Sequence, residues 1–396
     1  MRKHEQIHLG RILEEGALRL EVAARQLAAE ELVEAPQQDP GVDSGSMMLT
    51  VAERIRDVKH ALDQDVERQR RRSPAVLLRD WVRPRLGTLR HHPPAVMRVP
   101  MSYLRTDLPS DAPTISVVTP SYQQGRYLER TIYSVISQNY PCLEYILQDG
   151  GSTDETQAVL ERFAPSLHHC TSEPDDGQAD AINRGFAHSG GEIMAYLNSD
   201  DLLLPGSLAY IARYFAAHPD VDLVYGHRIL IDEHDRQIGR WVLPPHDPSV
   251  LPVADFIPQE TMFWRRELWE RAGGQIDASL SFAIDWDLLL RFQEAGARMV
   301  RLPRYLGAFR VHDEQKTARE QTRCRAETEM LQRRMLGRAM TQEEVFARIQ
   351  SYLRRHVLHH TAHRLTARLP LPRIDVRTVP IEIAAQAAAT PAFDRR

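Results

Sequence analysis

Between Pro113 and Lys316, short apolar runs alternate with stretches whose apolar residues recur at helical spacing. Ile115-Ser116-Val117-Val118-Thr119 reads as a buried strand ended by Pro120, and Leu128, Ile132 and Val135 mark one face of a helix starting near Arg126. The strand Leu143 to Leu147 leads into Asp149-Gly150-Gly151, after which Ser152 and Glu155 have the spacing of a capping box. A strand near Leu167 to Ser172, a helix from Gln178 to His188 and a strand from Ile193 to Leu197 continue the alternation. A helix follows from Ser207 to about His218, then a strand from Val221 to Tyr225. Arg228 to Ile231 and Gln237 to Val242, around Glu233-His234-Asp235, predict a hairpin. Further on, a strand is expected at Thr261 to Trp264 and a helix from Leu288 to Glu294. The pattern predicts an α/β fold: a parallel sheet covered on both faces, with mixed pairing entering in its second half.

The flanks read differently. In residues 1–110, Leu13, Leu20 and Leu27 recur every seven residues, and Val51, Ile55, Val58 and Leu62 form a second narrow stripe. These are helices that pack on the next domain or form a coiled-coil or partner-docking element; the pattern alone leaves both open. Pro36 to Gly45 reads as a linker and His91-His92-Pro93-Pro94 as irregular chain. The expected organisation is a helical extension over 1–110, an α/β domain over 111–316 and a helical extension over 317–370. A poorly ordered tail is expected over 371–396. Thr341 and Glu344 predict a capping box in the second extension.

Composition changes this picture little. Hydrophobic residues make up 42% and charged residues 26%, so a core can form without disulfides or a structural metal. A net charge of -4 gives no reason to expect nucleic acid as a partner. Of the 50 basic residues only Lys3, Lys59 and Lys316 are lysines, which reads as base composition because the arginines are spread over the chain. Cys142, Cys170 and Cys324 are scattered and form no CxxC pair, which fits a reducing, cytoplasmic setting. The first thirty residues are charged throughout, so no signal peptide is expected. No window approaches the ~18 apolar residues of a membrane span, so contact with a membrane would be peripheral.

Chemistry collects at the carboxyl ends of the predicted strands, where open α/β sheets bind ligands. Those ends carry Thr119-Pro120-Ser121-Tyr122, Asp149-Gly150-Gly151-Ser152 and Asn198-Ser199-Asp200-Asp201. No GxGxxG or GxxxxGK follows a strand, which removes dinucleotide and P-loop readings. With Glu173-Pro174-Asp175-Asp176-Gly177-Gln178, Gln259-Glu260, Asp285-Trp286-Asp287 and Arg310-Val311-His312, these segments form an ordered set across about half the chain. That set resembles glycosyltransferase family 2, the inverting transferases of GT-A fold.

The resemblance implies transfer of a sugar from a nucleoside-diphosphate donor, UDP or dTDP, to a hydroxyl of a glycan or lipid-linked acceptor. It also implies Mg²⁺ or Mn²⁺, and work in surface polysaccharide synthesis at the inner face of a membrane. Asp149 falls at the donor-base position, with Thr119, Pro120 and Tyr122 lining the same pocket. Asp175, Gln178, Asn183, Asn198 and Ser199 fall on the donor side, and Arg184 extends that helix. Asp200, Asp201 and His312 fall at the metal-diphosphate position, where Asn198 departs from the family's first acidic residue. Asp285 is the general base implied, Ile284 replacing the family's frequent Glu before it; Asp287 either shares that work or opens the helix. Gln259, Glu260 and Trp286 would face the acceptor, with Trp264, Trp269 and Trp286 candidates for stacking on a sugar or for the core. Two other readings stay open: a nucleotidyltransferase, and a non-catalytic relative that binds glycans or assembles, as a homo-oligomer for example, through its terminal helices.

Overall fold

The strand β2 (Ile115–Ser121) is buried at all seven positions, as a central strand covered on both faces must be. It runs two residues further than expected, through Pro120, because β3 pairs with it in parallel as far as Ser121, while the pairing with β5 ends at Val118. The structure is a computed structural model that describes residues 84–313, 315, 321–366 and 372–378. These belong to one compact unit, Val82–Arg396. The two apolar stripes of residues 13–62 lie outside the described residues.

After a short strand β1 (Arg98–Pro100), β2 feeds α1 (Gly125–Ile136), β3 (Leu143–Asp149), α2 (Thr156–Phe163), β4 (His169–Ser172), α3 (Gln178–Ala187) and β5 (Ile193–Tyr196). The chain continues through β6 (Leu202–Leu203), α4 (Ser207–Ala217), β7 (Leu223–Ile231), β8 (Gln237–Trp241), β9 (Phe263–Arg265) and α5 (Arg266–Arg271). Then come α6 (Ile284–Glu294), β10 (Met299–Arg310), α7 (Gln321–Leu336), α8 (Gln342–Thr366) and β11 (Arg373–Asp375). Nine strands form one sheet in the order β4-β3-β2-β5-β9-β7-β10-β6, with β8 on β7. The first half pairs parallel (β4 with β3, β3 with β2, β2 with β5). β9 enters antiparallel between β5 and β7, which is the mixed pairing expected.

Differences from the sequence expectation have local causes. Ser152 does not cap α2: its hydroxyl donates to Asp149 Oδ1 (2.5 Å) and accepts from Gln123 N–H (2.8 Å). Asp154 takes over at that helix start, accepting the N–H of Thr156 (3.1 Å) and of Gly125 (2.9 Å). The Thr341–Glu344 box forms in both directions (2.9 and 3.2 Å). Helix α6 begins at Ile284, four residues before the expected start, so Asp285 sits in its first turn. Arg373–Asp375, inside the stretch expected to be poorly ordered, pairs antiparallel with β1.

One apolar layer beneath the sheet holds Val118, Ile146, Trp264, Leu288, Leu289 and Phe292, and Leu331 of α7 and Tyr352 of α8 join it. The opposite layer packs Leu128, Ile132 and Ile211 on the other face. These layers hold the carboxyl ends of β2, β3 and β5 side by side.

Candidate active site

The turn after β5 is fixed from three directions. Thr131 of α1 donates its hydroxyl to the carbonyls of Ser199 (2.7 Å) and Asp201 (2.8 Å). Arg310, at the end of β10, donates its backbone N–H to Asp201 Oδ1 (2.9 Å) and its Nε to the Asp200 carbonyl (2.8 Å). Its guanidinium also pairs with Asp235 (2.7 Å) and lies over the Tyr127 ring at 4.8 Å. Asp201 is therefore turned inward and buried, with burial and the charges of Asp200 and Glu260 pushing its carboxyl well above the usual range. Its Oδ1 is taken by the Arg310 N–H, so among the expected ligands it is the one that braces the turn from beneath.

Asp200 and His312 do come together, as expected. His312 Nε2 lies 3.0 Å from Asp200 Oδ2, although 112 residues separate them in the chain. The imidazole is closed off from solvent, stands 4.9 Å from the Tyr127 ring between centroids, and leaves Nδ1 buried without a hydrogen-bond partner among the described residues. The pair fits one hard cation: two neighbouring ligands on an octahedral ion with bonds of about 2.1 Å stand about 3 Å apart. No cluster of three or more His, Cys, Asp or Glu with metal-binding geometry occurs among the described residues. Such an ion would therefore complete its shell with phosphate oxygens and water, as Mg²⁺ and Mn²⁺ do.

Beside the turn, a chain of amides crosses three elements. Gln178 Nε2 donates to Asn198 Oδ1 (2.8 Å), Asn198 Nδ2 donates to Gln259 Oε1 (3.2 Å), and Gln259 Nε2 donates to the Tyr196 carbonyl (2.7 Å). Asn198 is thus an internal connector as well as a candidate donor contact. Ser199 is buried, its carbonyl taken by Thr131.

Several other sequence candidates are engaged inside the protein. Asp149 is fully buried and accepts from Ser152 N–H (2.9 Å), Ser152 Oγ (2.5 Å), Ser172 Oγ (2.7 Å) and Gly151 N–H (3.2 Å). It clasps the β3 turn to β4 and does not open toward a nucleotide base. Thr119 and Pro120 are buried in β2, with Thr119 Oγ1 3.1 Å from Tyr145 Oη. Tyr122 is 62% exposed, which leaves its ring available for a base. Asn183 forms a reciprocal pair with the Ile276 backbone (2.7 and 2.9 Å), and Arg184 binds Asp180 and the Pro174 carbonyl. Asp175 stands over Gly150, where a Cβ would come within 2.9 Å of its Oδ2, and burial holds its carboxyl above the usual range.

On the acceptor side, two expectations need correction. Glu260 has no exposed side-chain surface and makes a bidentate pair with Arg228 (2.7 and 2.5 Å). Trp286 is buried and donates its indole N–H to the Leu251 carbonyl (2.8 Å); Trp264 and Trp269 are core residues too. Both positions belong to the buried interior. Asp287 is buried between Arg291 (2.8 Å) and Arg334 (2.5 Å), which places it with the helix and not with the chemistry.

Asp285 is half-buried, its Oδ1 accepting the Trp286 N–H at 2.9 Å, and burial holds its carboxyl above the ordinary value. Sequence reasoning missed its neighbour. Asp255 keeps access to solvent, yet the surrounding protein and then the Asp285 charge push its carboxyl well up. A lone carboxylate inside Val250 to Ile257, an otherwise apolar run, was the available signal. The Arg228 charge acts on both carboxyls: burial works against its charged form, and Glu260, Asp201 and Asp255 outweigh it.

The acidic turn after β5 thus meets a histidine from just past β10 at the carboxyl edge of the sheet. The profile of Glycosyl transferase family 2 matches residues 116–269. An uncharacterized glycosyltransferase of Mycobacterium tuberculosis is 31% identical over 188 residues, covering 46% of this chain and 70% of that protein. A PGL/p-HBAD biosynthesis glycosyltransferase of Mycobacterium bovis is 31% identical over 184 residues, with the same two shares. Among solved structures, S. aureus TarS superposes with a TM-score of 0.46 at 17% identity, covering 65% of this chain and 46% of that one. The chain belongs to glycosyltransferase family 2, and its α/β domain is the GT-A-like fold that the motifs implied.

Proposed function

We propose that this glycosyltransferase moves a sugar, with inversion, from a nucleoside-diphosphate donor to a hydroxyl of a glycan or lipid-linked acceptor. The observation that carries the reading is the meeting of Asp200 and His312 at 3.0 Å beside the carboxyl end of β5. A bound Mg²⁺ or Mn²⁺ there would neutralise the diphosphate as it leaves. In the transfer, Asp285 takes the acceptor proton while the acceptor oxygen bonds the anomeric carbon and the bond to the diphosphate breaks. Gln178 and Asn198 line the donor side, and Tyr122 offers an exposed ring to the base. Uracil or thymine is the base proposed; with Asp149 turned inward, that choice rests on the family resemblance alone.

The M. bovis relative is named for PGL/p-HBAD biosynthesis, and the lipid- or glycan-bearing acceptor proposed here follows the family resemblance. No helix among the described residues is long and apolar enough to cross a membrane. Peripheral work at the cytoplasmic face of a membrane is the setting that accords with such acceptors. A screen of nucleotide sugars for hydrolysis and transfer, with and without Mn²⁺, tests the reading. Metal-independent turnover, or binding of no nucleotide sugar, would sink it.

A further inference from the structure

Helix α7 makes polar contacts to the two chain segments that flank the proposed reacting centre. Glu327 Oε1 accepts the N–H of Ser281 (3.0 Å), and its Oε2 accepts those of Phe282 (2.9 Å) and Ala283 (3.0 Å). These three residues are the turn from which α6 starts, and Asp285 is the second residue of that helix. Ala283 is the N-cap and Ser281 and Phe282 lead into it, so a carboxylate that collects all three N–H groups fixes the entry of the chain into the helix. Burial alone would raise the Glu327 carboxyl; the three N–H donations hold it below the usual range.

Other residues of α7 extend the contact. Arg334 pairs with Asp287, two residues beyond Asp285. Leu331 is fully buried in the core layer that includes Leu288 and Leu289. Glu327, Leu331 and Arg334 follow the i, i+4, i+7 spacing of one helix face. Gln332 donates Nε2 to the Val253 carbonyl (3.0 Å), two residues before Asp255, and accepts the Met340 N–H (3.1 Å). One helix therefore ties the Asp285 turn to the 251–260 segment that carries Asp255, Gln259 and Glu260. It lies beyond residues 116–269, the part of the chain that matches the family profile.

We propose that Glu327 is a positioning residue for sugar transfer, and that α7 sets Asp285 in register with the 251–260 wall. The inference rests on Asp285 being the base. Misplacing a reacting group by about 1 Å can cost on the order of 100-fold in rate, so loss of this anchor should be seen first in kcat.

The test is steady-state transfer by the full chain with Glu327→Ala and Glu327→Gln, beside amide hydrogen exchange over residues 281–286. In the Ala variant kcat is expected to fall about tenfold or more with donor KM within about twofold, and the 281–286 amides to exchange faster. The Gln variant keeps one acceptor oxygen, enough for Phe282 and Ala283, but turns an NH2 toward the Ser281 N–H, so it is expected to recover only part of the rate. Wild-type kcat in a folded Ala variant overturns the proposal, as does a Gln variant no better than Ala. Should the Ala variant not fold, Gln332→Leu takes its place: a raised acceptor KM at unchanged donor KM supports the strut, and an unchanged acceptor KM overturns it. Full turnover by Asp285→Asn would remove the base assignment instead, while the exchange rates still report whether Glu327 holds the turn.

Discussion

His312 Nε2 and Asp200 Oδ2 lie 3.0 Å apart, one from the chain just past β10 and one from the turn after β5. Neither element holds the other through this contact alone, because Arg310 and Thr131 already fix the turn. Asp200→Asn should therefore fold normally and lose transfer by roughly 100-fold or more, the scale of a lost metal-diphosphate contact. His312→Ala should weaken Mn²⁺ binding measured in the presence of the donor diphosphate. Unchanged metal dependence in both variants would remove this pair from the metal site.

Arg310 has a different task. It is about 1% exposed and holds the Asp200 carbonyl, the Asp232 carbonyl and the Asp235 carboxylate at once. Removing a buried charge that serves several partners costs about 3–5 kcal/mol, so Arg310→Leu should lower the urea midpoint sharply. Activity should fall further than stability explains at temperatures where the variant is still folded. A variant of native midpoint would show that the turn is held without it.

The acid limb of activity follows from Asp285 and Asp255. Both carboxyls are raised, Asp285 by burial and the solvent-reaching Asp255 by the protein packed around it and by the Asp285 charge. A base must be ionised, so activity is lost as pH falls through a folded pKa above the ordinary value of about 3.9. Asp255→Asn removes a like charge and should move the limb of kcat/KM to lower pH. A limb that stays in place, or moves up, would show that the two carboxylates do not share the site.

Much of this was readable before the fold was known, and the remainder has a common cause. β2, β3, α3 and β5 follow the apolar spacing closely, because a strand buried on both faces and an amphipathic helix each leave a local signature. Asp200, His312 and Asp285 stood out as motif residues. Glu260 did not reveal its role, since its partner Arg228 lies 32 residues away and no local pattern encodes that pairing. Asp149 sat at a functional-looking strand end, yet Ser152 and Ser172 make it a clasp. Glu327 belonged to a helix with only a weak apolar face, and its function depends on backbone groups more than forty residues away.

The Arg228–Glu260 pair predicts a stability pattern. Both side chains are buried, so Glu260→Gln should cost about 3 kcal/mol or more by leaving the Arg228 charge uncompensated. Gly307→Ala should act on the same point from the other strand. A Cβ there would stand 2.6 Å from Glu260 Cγ and 2.7 Å from its carbonyl oxygen. The double change Arg228→Met with Glu260→Leu should recover much of the loss in a chemical melt. If the single change to Gln is silent, the pair does not brace this wall.

Asn198 is the position where the chain departs from an acidic first residue, and restoring Asp there should not simply improve the enzyme. Its Oδ1 accepts from Gln178 and its Nδ2 donates to Gln259 Oε1, whose own amide donates to the Tyr196 carbonyl. An aspartate keeps the acceptor and loses the donor, so a carboxylate oxygen would face Gln259 Oε1 with no hydrogen between them. Turning the Gln259 amide over would relieve that contact and place its oxygen against the Tyr196 carbonyl instead. One repulsive or unsatisfied contact therefore remains in either arrangement, at a buried residue, for a cost of about 1–3 kcal/mol. The added charge beside Asp200 should at the same time tighten the cation. Asn198→Asp is thus expected to bind Mn²⁺ more tightly with donor present while unfolding at a lower urea concentration. A variant as stable as the parent would show that the amide chain is not what Asn198 is there to complete.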